Sequence, residues 1–219
     1  MNIGVVVGGD EEHKLRRGIA ARLARRWADL VGGAVYEVEM ETVNQARNFA
    51  KFGLVAETLN AHEYVMWLDS DACVVDDMFD LEFSLSVWGT PATRMWIAQD
   101  WNGLCASMYV VRRCEWTLNF LRACEAVGFI REMGGQQDQG TIKHLSCMSP
   151  TVQWRIQTLP TSIVTDQTLK PVPTPFVWHL SMGKDTVETM QHVMDAVESG
   201  RFEEYAAQWP GMSHGVRYE

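Results

Sequence analysis

The sequence has no apolar run approaching the roughly 20 residues that a helix needs to span a bilayer, so no membrane segment is expected. Positive charge is scarce. Lysine and arginine number 19 against 28 acidic residues, a net charge of −9. A nucleic-acid binder presents a basic face, so no nucleic-acid partner is expected. Any phosphate site must then be built locally, from a metal, a few lysines and backbone N–H groups. There is no C-x-x-C, and the five cysteines (Cys73, Cys105, Cys114, Cys124 and Cys147) are odd in number. They read as reduced, mostly buried thiols of a cytoplasmic protein, with no zinc site. The N-terminus opens into a strand without a signal-peptide pattern, and internal repeats and low-complexity linkers are absent. What is present is an ordinary globular composition, 47% hydrophobic and 21% charged, over a length that supports one domain with a substantial core. Tryptophan is plentiful, at nine residues; most must be core, although sugar sites also use them as platforms.

One stretch organises the chain. Tyr64-Val65-Met66-Trp67-Leu68 runs into Asp69-Ser70-Asp71. The run is short and rich in β-formers, so it reads as a buried central strand. Alternation then predicts Asp69 and Asp71 on one side and Ser70 on the other. Two carboxylates at a strand end suit a hard divalent cation, Mn²⁺ or Mg²⁺, whose shell is completed by substrate phosphates and water. On the motif alone, a polar strand end with solvated carboxylates is an equal reading.

The flanking pattern supplies context. A strand at Asn2–Val7 ends in Gly8-Gly9-Asp10, a candidate nucleotide-base site or a simple turn with Asp10 as helix cap. Helices are predicted over 11–30 and 43–59, with a strand at 34–38 between them. Lys51 lies off the second helix's apolar face and is either solvated or a phosphate ligand. The order βαβαβ predicts an α/β, Rossmann-like fold with a mostly parallel central sheet flanked by helices. Ligands of such sheets bind at the C-terminal strand ends, where Gly8–Asp10 and Asp69–Asp71 both fall.

Beyond Asp77 the pattern loosens. A strand at 95–98 leads to a loop, Gln99-Asp100-Trp101-Asn102-Gly103, made of sugar-binding residue types; a polar turn is the alternative. A strand at 107–111 and a helix at 113–127 follow. After Gly134-Gly135, Asp138 and Gln139 open another helix, placed to meet a substrate or, for Asp138, simply to cap. A strand is predicted over 152–159 and an aperiodic, proline-rich loop over 160–175. His179 ends an aromatic strand just before Gly183-Lys184, a pattern suited to a metal ligand and a phosphate contact, though a lone buried histidine is usually structural. Closing helices are expected over 186–197 and 202–209.

Taken in order, these stretches resemble the GT-A-fold retaining glycosyltransferases that include fungal α-galactosyl- and α-mannosyltransferases and xyloglucan xylosyltransferases. The matching motifs are Trp67-Leu68-Asp69-Ser70-Asp71-Ala72, then Gln99-Asp100-Trp101-Asn102-Gly103-Leu104 through Arg112 with Trp116 beyond, then Asp138-Gln139, and His179 with Lys184. They cover about residues 3 to 184. Cys105 and Ser107 stand where that family carries Asn and Gly, so its sugar-pocket details do not transfer. The membrane anchor and stem of its Golgi members are not seen, which fits a compact bacterial version or a cytosolic enzyme of a large DNA virus of algae, acting in the host cytoplasm.

The resemblance implies a single GT-A domain, with a nucleotide-binding half over 1–76, an acceptor and sugar half over 95–184, and closing helices over 185–219. It implies transfer from a UDP-sugar donor to an oligosaccharide or glycoprotein glycan with retention of configuration. Asp69, Asp71 and His179 would bind Mn²⁺ or Mg²⁺. Val7, Gly8, Gly9, Asp10, Lys51, Ser70, Gly183 and Lys184 would bind the donor. Asp100, Trp101, Asn102 and Ser107 would line the sugar or acceptor pocket. Asp138 and Gln139 would be catalytic, stabilising an oxocarbenium-like state without bonding to it. Two alternatives are of another class. A haloacid-dehalogenase-type phosphohydrolase also uses Asp-x-Asp after a buried strand, but wants Thr or Val where Cys73 stands and carries the motif on its first strand. A non-catalytic sugar-binding module would not need all these motifs together.

Overall fold

The computed structural model describes residues 1–40, 47–100, 103–130, 137–166, 175–180 and 186–209. Strand β1 (Ile3–Gly9) is followed by a 3₁₀ turn (Glu11–His13) and helix α1 (Lys14–Val31). Then come β2 (Ala34–Glu39), α2 (Arg47–Thr58) and β3 (Tyr64–Asp69). β1 is parallel to both β2 and β3, as the βαβαβ pattern requires. After β4 (Ala72–Val74) and α3 (Leu81–Val87), a hairpin of β5 (Met95–Asp100) and β6 (Gly103–Arg112) joins the sheet, with β6 antiparallel to β3. Helices α4 (Glu115–Ile130), α5 (Gln137–Met148) and α6 (Pro150–Gln153) precede β7 (Ile156–Thr158), which lies parallel to β5. Thus β3 is central, in the order β2-β1-β3-β6-β5-β7. A small second sheet combines β4 with β9 (Val177–His179) and β8 (Val164–Asp166). Helices α7 (Thr186–Glu198) and α8 (Phe202–Gln208) follow.

The large sheet separates two hydrophobic cores. Met66 and Leu68 of β3 face α1, α7 and the small sheet. Val65 and Trp67 face α2, α4 and α5. This parity decides the site, because Asp69 continues the Val65, Trp67 row toward α2.

Several expectations change. Leu15 and Leu30, which stand at helical spacing with Leu23, are exposed; the buried stripe of α1 is built from Leu23 and Trp27 with Ala20, Ala21, Ala24 and Ala28, the alanines letting the helix lie close to the sheet. The predicted strand over 152–159 begins in a helix and a turn, at Val152–Arg155. Pro150 at the first helical position starts a turn, and only Ile156–Thr158 finds a partner, on β5. β4, β8 and α3 have no periodic signature. The two strands are three residues each and exist through pairing with β9. In the stretch expected to bind sugar, Asp100 ends β5 in register with Gly103 of β6, whose φ of +107° suits glycine, and the two residues between them lie outside the described residues.

Gly8 is fixed by packing. A Cβ there would lie 2.0 Å from Cη2 of Trp67, whose indole covers β1. Gly8→Ala should therefore cost about 1–3 kcal/mol, as overpacking does. Urea unfolding measures it, as a lowered midpoint at unchanged slope. An unchanged midpoint would mean that the indole moves away freely.

Candidate active site

β1 and β3 end side by side, with Gly8 in register with Asp69. A cleft of about 180 Å³ opens at these ends, lined by Gly8, Gly9, Asp10, His13, Met40, Lys51, Asp69, Ser70, Asp71 and Asp138. Strand alternation does not extend through Asp71. β3 stops at Asp69, and the chain turns at Ser70 and Asp71 to enter β4. Ser70 consequently lines the cleft instead of pointing away, and its Cβ would be 2.8 Å from a Cβ on Gly9.

Lys51 is the hub of one wall. It precedes the buried Val55 by one helical turn, so it belongs to the inward side of α2 rather than off it. Its Nζ lies 3.0 Å from Asp69 Oδ1, 2.5 Å from Asp138 Oδ2 and 3.3 Å from the Ala106 carbonyl, and 5.2 Å from the Trp67 ring centroid. All three ammonium donors therefore have acceptors. Burial disfavours the charged ammonium, but Asp138 and Asp69 outweigh burial and hold the pKa above the usual lysine value. Trp67 Nε1 donates to the same Asp69 oxygen at 2.7 Å, as two residues on one strand face can.

The other wall comes from the small sheet. β4 and β9 pair Ala72 with His179, which brings His179 Nε2 to 3.5 Å from Asp71 Oδ1. Burial pushes the Asp71 carboxyl up, but His179 outweighs it and holds the pKa below the usual value. On the other side of the ring, Nδ1 is 4.0 Å from Cys105 Sγ, which in turn contacts Ser107 Oγ at 3.0 Å. Asp71 and His179 offer the oxygen and imidazole donors that suit Mn²⁺. An ion with few protein ligands completes its shell with phosphates and water. Asp69 does not close a cage with them. Its Oδ1 is engaged by Lys51 and Trp67, and among the described residues no three His, Cys, Asp or Glu side chains are grouped at metal-binding spacing. The pair fits an ion that arrives with its substrate.

At the end of β1, Asp10 caps the following turn by accepting from His13 N–H at 3.0 Å, and His13 Nδ1 lies 2.5 Å from the same oxygen. Buried Arg17 donates to the carbonyls of Gly9 at 2.7 Å and Asp10 at 3.0 Å, fixing the turn from below. His13, Arg17 and Met40 were not singled out in the sequence, and Trp67 only as the start of the motif that runs into Asp69. The signals existed: His13 is one turn from Asp10, and Trp67 shares its strand face with Asp69.

Of the remaining expected residues, Val7 is buried in the core. Ser107 is buried against Cys105 and does not line the cleft. Gln139 Oε1 accepts from Ala106 N–H at 3.4 Å, so it braces β6 beside Lys51. Asp100 ends β5, and its side chain is outside the described residues, as are Trp101, Asn102, Gly183 and Lys184.

Solved structures identify this architecture. A glycosyltransferase involved in glycosylation of the major capsid of PBCV-1 superimposes with a TM-score of 0.74 at 15% identity, over 87% of this chain and 100% of that one. The galactosyltransferase LgtC in complex with donor and acceptor sugar analogs gives 0.56 at 13% identity, over 88% and 95%. The chain has the GT-A glycosyltransferase fold, an α/β fold with a mostly parallel central sheet flanked by helices.

Sequence relatives agree with it. "Probable glycosyltransferase 7" of Oryza sativa subsp. indica is 30% identical over 103 residues, 43% of this chain and 23% of that protein. Galactomannan galactosyltransferase 1 of Cyamopsis tetragonoloba is 28% identical over 88 residues, 36% and 20%. The matches thus span less than a quarter of these curated relatives. No model of a known protein family matches the chain. No helix among the described residues is long and apolar enough to cross a membrane.

Proposed function

We propose that this protein is a metal-dependent glycosyltransferase that moves a sugar from a UDP-sugar to a hydroxyl of an oligosaccharide or glycoprotein glycan, with retention of configuration. The observation that carries the reading is the convergence of Asp10, Lys51, Asp69, Asp71 and Asp138 on one cleft at the strand ends of a GT-A fold. The names of its relatives and structural neighbours support transfer chemistry.

In this reading the turn at Gly8–Asp10 receives the nucleoside, with the Asp10 carboxylate as acceptor for a base N–H. Asp71 and His179 would hold Mn²⁺ or Mg²⁺, with Asp69 beside them. The bound ion would serve as a Lewis acid for the departing diphosphate. The anomeric C–O bond breaks with its electron pair leaving on UDP. The acceptor oxygen bonds to the same face, and its proton departs with the diphosphate. Asp138 stabilises the positive charge that develops on the sugar ring. Lys51 holds Asp138 and Asp69 in place and balances their charge before substrate enters; with all its donors engaged, it is assigned here to positioning rather than to phosphate binding.

Titration calorimetry with UDP, with and without Mn²⁺, tests the reading. UDP should bind tightly only with the ion, and Asp71→Ala should abolish that dependence while the fold persists. UDP should also be released from at least one of a panel of UDP-sugars. Phosphate release from p-nitrophenyl phosphate, or metal-independent UDP binding in both proteins, would sink it.

A further inference from the structure

We propose that Arg16 makes metal binding at the candidate active site conditional on the diphosphate, by contacting its phosphates and repelling the bare ion. This deepens the transferase reading and rests on it. Lys51 is engaged by Asp69, Asp138 and the Ala106 carbonyl, which leaves it no donor for a phosphate. Among the described residues, the diphosphate therefore still lacks a cation from the protein. At neutral pH UDP carries more negative charge than one divalent ion cancels, so a further cation at the cleft would complete the balance.

Helix α1 supplies it. The helix carries six basic side chains. Lys14, Arg17, Arg22, Arg25 and Arg26 each pair with a carboxylate. Arg16 alone of the six makes no hydrogen bond or ion pair among the described residues. Its place on the helix directs it to the site. His13, three residues earlier, lines the cleft, and Ala20, four residues later, is buried in the core that includes Ala72. Residues at these intervals share one helix face. α1 packs on β4, and Asp71 immediately precedes β4. The Asp71 carboxyl feels the guanidinium: burial raises its pKa, His179 outweighs burial, and Arg16 adds to the lowering. Arg16 is half-buried and is not one of the cleft's lining residues. It stands on the wall that would hold the ion, and a long unpaired side chain there can turn onto a phosphate bound beside Asp71.

The two consequences have opposite signs. A fixed positive charge beside Asp71 opposes a divalent cation that arrives alone. The same guanidinium forks onto phosphate oxygens when the ion arrives with UDP. Binding of the ion and binding of the diphosphate then reinforce each other, and each favours the other to the same degree. The arrangement also places a donor where negative charge gathers on the departing UDP.

Binding measurements on the full chain test this without reference to turnover. Mn²⁺ alone is followed by the paramagnetic resonance signal of the free ion, and UDP and uridine by titration calorimetry in saturating Mn²⁺. Arg16→Ala should weaken UDP by about tenfold or more, through loss of a charged hydrogen bond, and leave uridine unchanged. In the same variant Mn²⁺ alone should bind more tightly, by roughly two- to fivefold, the range of a half-exposed charge pair. Arg16→Lys keeps the repulsion but loses the fork, so it should recover UDP affinity only in part. Arg22→Ala removes the same charge from an exposed position farther along α1 and should change neither ligand. UDP affinity unchanged in Arg16→Ala overturns the proposal. So does an equal loss for uridine, a weaker grip on Mn²⁺ alone, or the same shifts in Arg22→Ala. In each of these cases the wild type still binds UDP with Mn²⁺ and the transferase reading stands. A wild type that binds UDP equally well without the ion rejects that reading, and the coupling with it.

Discussion

Replacing Lys51 by methionine is expected to lower folding stability by about 3–5 kcal/mol, the cost of removing one partner from a buried charge cluster. Methionine keeps the length of the side chain and its packing beside Trp67, so the loss isolates the charge. The Lys51 side chain is 4% exposed, and it stands between Asp69 and Asp138. Without it, two carboxylates face each other in a poorly solvated wall. In a chain of this size the melting temperature should fall by roughly 6–20 °C. Adding Asp138→Asn to Lys51→Met should recover part of the loss, because residues in one network couple by about 0.5–3 kcal/mol. Calorimetric melting of the wild type, both single variants and the double variant gives the cycle. A loss under ~1 kcal/mol for Lys51→Met, the range of an exposed pair, would show that water already serves the carboxylates.

The second large effect is on rate. Asp138→Asn should cut sugar transfer, or hydrolysis of the donor, by about 10²–10³-fold with little change in UDP-sugar affinity. The carboxylate lies in the first turn of α5 and turns toward the cleft, where Lys51 holds it. Charge on the sugar ring exists mainly in the transition state, so the loss belongs to kcat rather than to binding. Gln139→Ala should cost less, since its carbonyl is already engaged by Ala106 N–H. If Asp138 served only its helix, the substitution would cost about 0.3–1 kcal/mol through the helix dipole and leave turnover intact. Measuring kcat and donor Kd below the melting range of each variant separates the two. Normal kcat in Asp138→Asn would remove this residue from the chemistry.

The parallel half of the sheet was legible because each of its strands carries a run of apolar residues and each connection a periodic helix. The Asp69 and Asp138 ends of the site were legible for the same reason: they close or open an element with a clear signal. What was not legible depended on partners far away in the chain. Three-residue strands such as Ala72–Val74 acquire their geometry from β9, and so Asp71 turns to meet His179 instead of following Asp69. Apolar periodicity alone sets Lys51 off the buried face of its helix, open to solvent or to a phosphate. A lysine at the end of a buried stripe is inward when acidic groups wait for it, and those groups come from β3 and α5.

The division of the interior into two cores has a mechanical consequence for the cleft. Asp138 and Lys51 are anchored in the layer built on α2, α4 and α5, whereas Asp71 and His179 ride on the small sheet packed with α1 and α7. Strand β3 is the shared seam, and Trp67 rivets it to β1. The two walls thus belong to different packing layers on opposite faces of one hydrogen-bonded sheet. A substitution that loosens the packing of one layer acts on its own wall of the cleft without touching a residue that lines it.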